Sequence, residues 1–241
     1  MKIIIYFLSI IVLCYISLGI CAQRKDAYFT TKEMPDMVKF LPPPPAFGSE
    51  LFKNDSIRYE WGKEMRNDSV RADIARRDAM YGLWTISQEF SEPFGLKISE
   101  EGTPHIYQLL KKALATCNSI CTLPKKYYMR KRPFVYFGEQ TLVPEDEEEL
   151  ANNGSYPSGH TILGWSAALL LTEINPSAQD TLLARGYMYG ESRIIAGYHW
   201  ESDVTAGRLS ASAAYAKLHT SKRFLKQMRR AKKEFIRLKN R

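Results

Sequence analysis

Past residue 22 the sequence has only two cysteines, Cys117 and Cys121. That excludes a disulfide scaffold. With no histidine pair nearby, it also argues against a structural zinc site. An oxidising compartment would permit a bridge between the two, but a spacing of four on one helix is awkward geometry for it. Two unbridged thiols are the expectation, with a local disulfide as the alternative. No apolar run beyond residue 22 is long enough to span a bilayer; the longest, 161–172, falls short. No sequence period recurs, which excludes solenoids and propellers. No convincing pair of alternating strands is present either, so the expected fold is all-α, a single compact helical bundle.

What is present begins with a targeting pattern. Lys2 supplies a positive start, an uncharged apolar stretch runs over 3–21, and Ala22-Gln23 offers a small residue at a cleavage point. Residues 1–22 therefore read as a signal peptide, with a retained N-terminal anchor as the alternative, and the body as periplasmic or otherwise exported. A lipid-modified Cys21 is weaker, because Ile20 sits where a small residue is wanted. The formal charge of +8 is concentrated: residues 220–241 carry ten Lys+Arg against Glu234 alone, which leaves the remainder near neutral. The basic character thus belongs to one C-terminal helix, and no nucleic-acid partner is expected. A peripheral contact with anionic membrane is a second reading of that helix.

Along residues 23–241, one domain is expected. Residues 23–50 form an irregular lead-in, and Leu41-Pro42-Pro43-Pro44-Pro45 must be extended over the body. Asn54 to Ser56 offer caps for a helix bearing Ile57, Trp61 and Met65 at spacing four. A second amphipathic stretch covers 69–83. Thr103-Pro104 opens a third helix, with Ile106, Leu109, Leu110, Ala113, Leu114 and Cys117 as its core stripe. The acid run 145–149 lacks the spacing of a calcium loop and reads as solvated loop. Further helices are expected from Ser158 or Gly159 to Leu171, over 177–197, over 202–219 with Ala206, Leu209, Ala213 and Leu218 mostly inward, and from a Thr220 cap onward. Trp61, Trp84, Trp165 and Trp200 are expected in the core or pocket walls. His105 and His219 read as surface residues near helix ends.

Three blocks carry the chemistry: Lys125-x6-Arg132-Pro133, Pro157-Ser158-Gly159-His160, and Ser192-Arg193-x5-His199-x3-Asp203. A phosphomonoester dianion needs donors around its oxygens. Arg132 and Arg193 offer planar forks and Lys125 a compact charge. Ser158 and Gly159 open a helix, where free backbone N–H groups favour an anion. His199 and Asp203, four apart, are expected to share a helical face, so that the carboxylate accepts from Nδ1 and leaves Nε2 to attack. His160 is then the proton donor to the leaving oxygen. These blocks contain no metal cage, so neither metal nor cofactor is expected.

The three blocks resemble the signature of the type 2 phosphatidic acid phosphatase superfamily, which also includes the vanadium haloperoxidases. The flanking segments Tyr128-Met129-Arg130, Asn153-Gly154-Ser155-Tyr156, Glu173-Ile174-Asn175-Pro176 and Gly197-Tyr198-His199-Trp200 are similar to class A bacterial nonspecific acid phosphatases. The resemblance implies an all-helical, metal-independent, exported acid phosphatase, homo-oligomeric and broad in its phosphate monoester substrates. Lys125, Arg132, Ser158, Gly159 and Arg193 would hold phosphate. His160 would be the acid, and His199 with Asp203 the nucleophile pair acting through a phosphohistidine. Within the superfamily, a lipid phosphate phosphatase at the membrane surface is the runner-up, and a vanadate-dependent haloperoxidase a more distant one. The stretch from Met80 to Phe90, where the family builds part of its substrate pocket, matches the family less well.

Overall fold

The computed structural model describes residues 26–240, so the expected targeting segment, 1–22, lies outside the described residues. In chain order the helices are α1 (Met37–Phe40), α2 (Glu50–Glu64), α3 (Ser69–Ala79), α4 (Leu83–Phe94), α5 (Pro104–Asn118), α6 (Thr122–Tyr128), α7 (Pro133–Phe137), α8 (Glu147–Ala151), α9 (Gly159–Ile174), α10 (Gln179–Ile195), α11 (Glu201–Leu218) and α12 (Lys222–Lys239). No strand occurs among the described residues. The fold is all-α, as expected.

The centre of the bundle is α9. It is apolar all round, which marks a helix buried on every side rather than one with a wet face. Ile162, Leu163, Ala167, Ala168, Leu170, Leu171 and Ile174 are all buried. Around it pack α4, α5, α10 and α11. The approach to α10 is very close: a Cβ on Gly164 would lie 2.5 Å from the Tyr189 ring, and one on Gly186 2.5 Å from Ala168 Cβ. Only glycine permits that spacing, and it fixes α10, which carries Arg193, against α9, which carries His160.

The α5 stripe is buried at every expected position. α12 packs on α5 through Phe224, Met228, Ala231 and Phe235. Its single acid, Glu234, is buried and accepts from the backbone N–H groups of His105 and Ile106 at 3.2 and 2.9 Å. A carboxylate there satisfies free donors and the positive end of α5. In the lead-in, two short helical turns interrupt the irregular chain, at Thr31–Glu33 and at α1. Beyond them the proline segment is tied down where the Tyr156 hydroxyl donates to the Pro42 carbonyl at 2.6 Å.

Several expectations fail on local grounds. The cap of α2 is Ser49, whose hydroxyl accepts from Phe52 N, not Asn54 to Ser56. Its buried face is Phe52, Asp55, Tyr59 and Gly62, while Ile57 is 66% exposed. The apolar spacing misled because the face that packs contains an acid and a glycine. The 69–83 stretch ends at Ala79, and α4 follows as a separate, unforeseen helix after Gly82 takes φ 125°. Leu209 and Trp84 are exposed, Trp84 at 62%. Ser221, not Thr220, caps α12. The acid run 145–149 is not all loop but enters α8. His219 is not a bare surface residue, since its Nε2 meets Glu173 at 3.0 Å. Cys117 and Cys121 are free and buried.

Candidate active site

The three blocks converge on one cavity of about 860 Å³. Lys125, Arg132, Gly159, His160, Arg193 and His199 line it. Ser158 and Asp203 lie behind its wall, fully buried. Lys125 comes from α6, Arg132 from the turn before α7, His160 from the first turn of α9, and Arg193 from the last turn of α10. Ser158 caps α9, its hydroxyl accepting from Thr161 N and Thr161 Oγ1. Its own N–H donates to the Asp203 carbonyl at 3.0 Å, joining the α9 and α11 starts. That junction needs Gly207, where a Cβ would come within 2.9 Å of the Ser158 carbonyl.

His199 is not on a helix with Asp203. It lies in the connection between α10 and α11, and Asp203 is in the first turn of α11. They meet because Asp203 folds back: its Oδ2 accepts from Trp200 N at 2.9 Å and from His199 Nδ1 at 3.2 Å. The expected contact is present, but it arises from a reach back from the α11 N-terminus and not from a shared helical face. The other imidazole nitrogen, Nε2, faces Arg132 Nη1 at 3.1 Å. Since guanidinium can only donate, Nε2 carries the lone pair and Nδ1 the proton.

Behind this pair sits a buried charge set that sequence reasoning missed. Arg130 Nη1 donates to Asp203 Oδ1 at 2.6 Å, and Nη2 to Asp55 Oδ2 at 2.7 Å. Asp55 in turn accepts from Ser202 N and Ser202 Oγ. Arg130 stood in a quoted segment, but Asp55 lies on α2 with no cue in its neighbours. A second missed set surrounds Ser192. Its hydroxyl donates to Asp78 Oδ2 at 2.6 Å, and Arg185 pairs with the same carboxylate. Asp78 precedes Ala79, whose carbonyl, at the C-terminal end of α3, faces His160 Nε2 at 2.9 Å. The negative end of a helix therefore points at this imidazole.

The cations differ in how they are satisfied. Lys125 Nζ donates to the Gly154 carbonyl at 2.6 Å, and Arg132 Nε to the Leu150 and Asn153 carbonyls at 2.9 and 3.0 Å. Arg193 is 0% exposed, yet Nε, Nη1 and Nη2 all lack a hydrogen-bond partner. Its one evident contact is the Tyr198 ring, 4.7 Å away. A guanidinium at the cavity wall with three donors uncommitted to the protein is suited to take the oxygens of an anion.

The electrostatics follow from burial. It lowers Lys125 to about 7, helped by Arg132. Arg132 falls to about 10, through burial and then Arg193. Both imidazoles lie well below their ordinary value. For His199 the causes are burial, then Arg132, Lys125 and Arg193; for His160, burial and then Arg193. An arriving dianion would relieve every one of these penalties. No cluster of three or more His, Cys, Asp or Glu suited to a metal occurs among the described residues.

Against known proteins, residues 109–225 match the model of the PAP2 superfamily, a span that contains all three blocks. The chain is 46% identical over 213 residues to a non-specific acid phosphatase of Providencia stuartii, covering 88% of this chain and 86% of that one. It is 38% identical over 231 residues to a non-specific acid phosphatase of Salmonella typhimurium, covering 95% and 90%. With an acid phosphatase of Zymomonas mobilis it shares 37% over 199 residues, 83% of this chain and 75% of the relative.

Proposed function

The chain belongs to the PAP2 superfamily as an acid phosphatase hydrolysing phosphate monoesters, and from that premise we propose that it works through a phosphohistidine on His199, without a metal. The observation that carries this is Arg193, a buried guanidinium whose three nitrogens have no hydrogen-bond partner. Lys125, Arg132 and Arg193 take the phosphoryl oxygens, joined by the backbone N–H of Gly159 at the start of α9. The two forks and the ammonium neutralise the charge of the transition state, the largest help phosphoryl transfer receives.

In the first step Arg132 Nη1 turns from His199 Nε2 to a phosphoryl oxygen. Nε2 forms the N–P bond, the ester O–P bond breaks, and the leaving oxygen takes a proton from His160. The Asp203 carboxylate stabilises the cationic imidazole through Nδ1–H. Because His160 Nε2–H is committed to the Ala79 carbonyl, Nδ1 is the nitrogen that delivers the proton. In the second step a water gives its proton to His160 and attacks phosphorus, the N–P bond breaks, and orthophosphate leaves. A pocket walled by cations also disfavours a metal ion, which supports the metal-free route.

Rapid-quench trapping tests the mechanism. Labelled phosphate should appear on the protein, labile in acid and stable in alkali, and be absent from His199→Ala. Label on a serine or aspartate would refute it. The same reading carries a broad monoester range, an exported protein matured after residue 22, and homo-oligomeric assembly. N-terminal sequencing and light scattering on the purified protein check the last two. Among the described residues, no helix is long and apolar enough to cross a membrane.

A further inference from the structure

The only acid of α12, Glu234, is buried against α5, so the outer face of this helix carries no negative charge. Lys222, Lys226, Arg229, Arg230, Lys233 and Arg237 are all exposed on it. At 3.6 residues per turn these six fall within about 100° of arc, in a row about 22 Å long. None of the six is ion-paired among the described residues. Lys232, which lies off the row, is the cation that reaches a carboxylate, Glu173 at 2.9 Å.

Folding alone does not favour such a row. Cations three and four apart on a helix repel one another. The row also runs into the first turn of α12, which holds no acid and where the positive end of the helix dipole disfavours a cation. An anionic partner would relieve both penalties.

The opposite face decides how that partner is met. Phe224, Met228, Ala231 and Phe235 are buried, with α12 packed on α5, so this helix cannot turn an apolar side into lipid as a free amphipathic helix does. It offers a fixed cationic ridge instead. No aromatic side chain is exposed on the ridge to stack on bases, which argues against single-stranded nucleic acid. Ile236, at the edge of the row, is 57% exposed. A headgroup layer can take up an apolar side chain among cations, where a free polyanion offers it nothing. No residue of α12 lines the active-site cavity, so a surface held by the ridge need not enter the site.

We propose that the outer face of α12 docks this protein on a bilayer rich in anionic phospholipid, by charge and without insertion. The proposal does not depend on the phosphohistidine mechanism.

Co-sedimentation with vesicles tests it, using phosphatidylglycerol mixed with phosphatidylcholine, and phosphatidylcholine alone. Wild type should bind the anionic vesicles and not the neutral ones, and salt at about 1 M, where the Debye length is about 3 Å, should release it. Residues outside α12, 1–22 included, are common to every arm, so a contact they make shows on phosphatidylcholine too. Replacing Lys226, Arg230 and Lys233 by Gln should weaken binding about a hundredfold, at about fivefold for each charge near the surface. The same loss of charge outside α12, by Lys39→Gln, Lys53→Gln and Lys131→Gln together, should leave binding near wild type. Equal binding of wild type to both vesicles would overturn the proposal, as would binding that survives high salt or the α12 replacements. A matching loss in the second triple variant would overturn it in favour of diffuse attraction by net charge. Inorganic polyphosphate that strips the protein from vesicles at equal phosphate concentration would hand the row to a free polyanion instead. The lipid, salt and polyphosphate arms on wild type decide even if the α12 variant fails to fold, which a thermal melt reports.

Discussion

Arg130 grips Asp203 by the carboxylate oxygen that His199 leaves free. Nη1 meets Oδ1 at 2.6 Å, while Oδ2 faces the imidazole at 3.2 Å. A carboxylate held at both oxygens cannot rotate, so the direction of the imidazole depends on a residue that does not line the cavity.

Replacing Arg130 by Met should therefore act on stability and rate together. Asp55 and Asp203 would be left as buried carboxylates without their cation, and breaking a buried pair in this way costs about 3–5 kcal/mol. Urea unfolding should show that loss, and kcat should fall even where the variant is fully folded.

For Arg193 the sign on stability is reversed. Its guanidinium is buried and repels Lys125 and Arg132, so Arg193→Met should unfold at higher denaturant than wild type in phosphate-free buffer. Added inorganic phosphate should stabilise wild type, by about 2.7 kcal/mol at a hundred times its Kd, and at the same concentration should stabilise the variant less. Thermal melts with and without phosphate read both effects.

The pH dependence follows from three depressed pKa values. His199 must be neutral to attack, and with its pKa well below the ordinary value it is neutral already in mild acid. His160 must be protonated to donate, and its protonated fraction is lost as pH rises through its own depressed value. Lys125, at about 7, sheds its charge above neutrality. All three place the optimum on the acid side. Activity (kcat/KM) should fall as pH rises past neutrality, with KM rising as Lys125 deprotonates; a profile climbing to pH 9 would reverse the assigned roles.

Chelation should do nothing to this chemistry. Extended dialysis against EDTA should leave kcat unchanged for a small phosphate monoester, and loss of activity restored by a divalent cation would contradict the metal-free route.

Much of the site was legible because its chemistry is local. A proline after Arg132 and a helix start at Gly159 each announce themselves within a few residues. The supporting carboxylates were not legible, because Asp55 and Asp78 are ordinary acids on helical stretches until α2 and α3 fold onto the site. The same holds for the α2 face. Periodicity pointed to Ile57, but Tyr59 and Asp55 are what the fold buries. Ile57→Ala should change stability by no more than about 0.5 kcal/mol. Tyr59→Ala, in the core beside Trp200, should cost several times that, and paired denaturation curves would tell them apart.

The carbonyls of Leu150, Asn153 and Gly154 hold Arg132 and Lys125. A phosphoryl oxygen that takes Lys125 Nζ or Arg132 Nε must compete with one of them, and its departure lets the carbonyl return. Segment 150–154 is thus a built-in competitor that weakens all anions by a similar factor, ester and orthophosphate alike. Its consequence is traffic: the enzyme gives up some affinity for its substrate and in return is slow to be clogged by its own product.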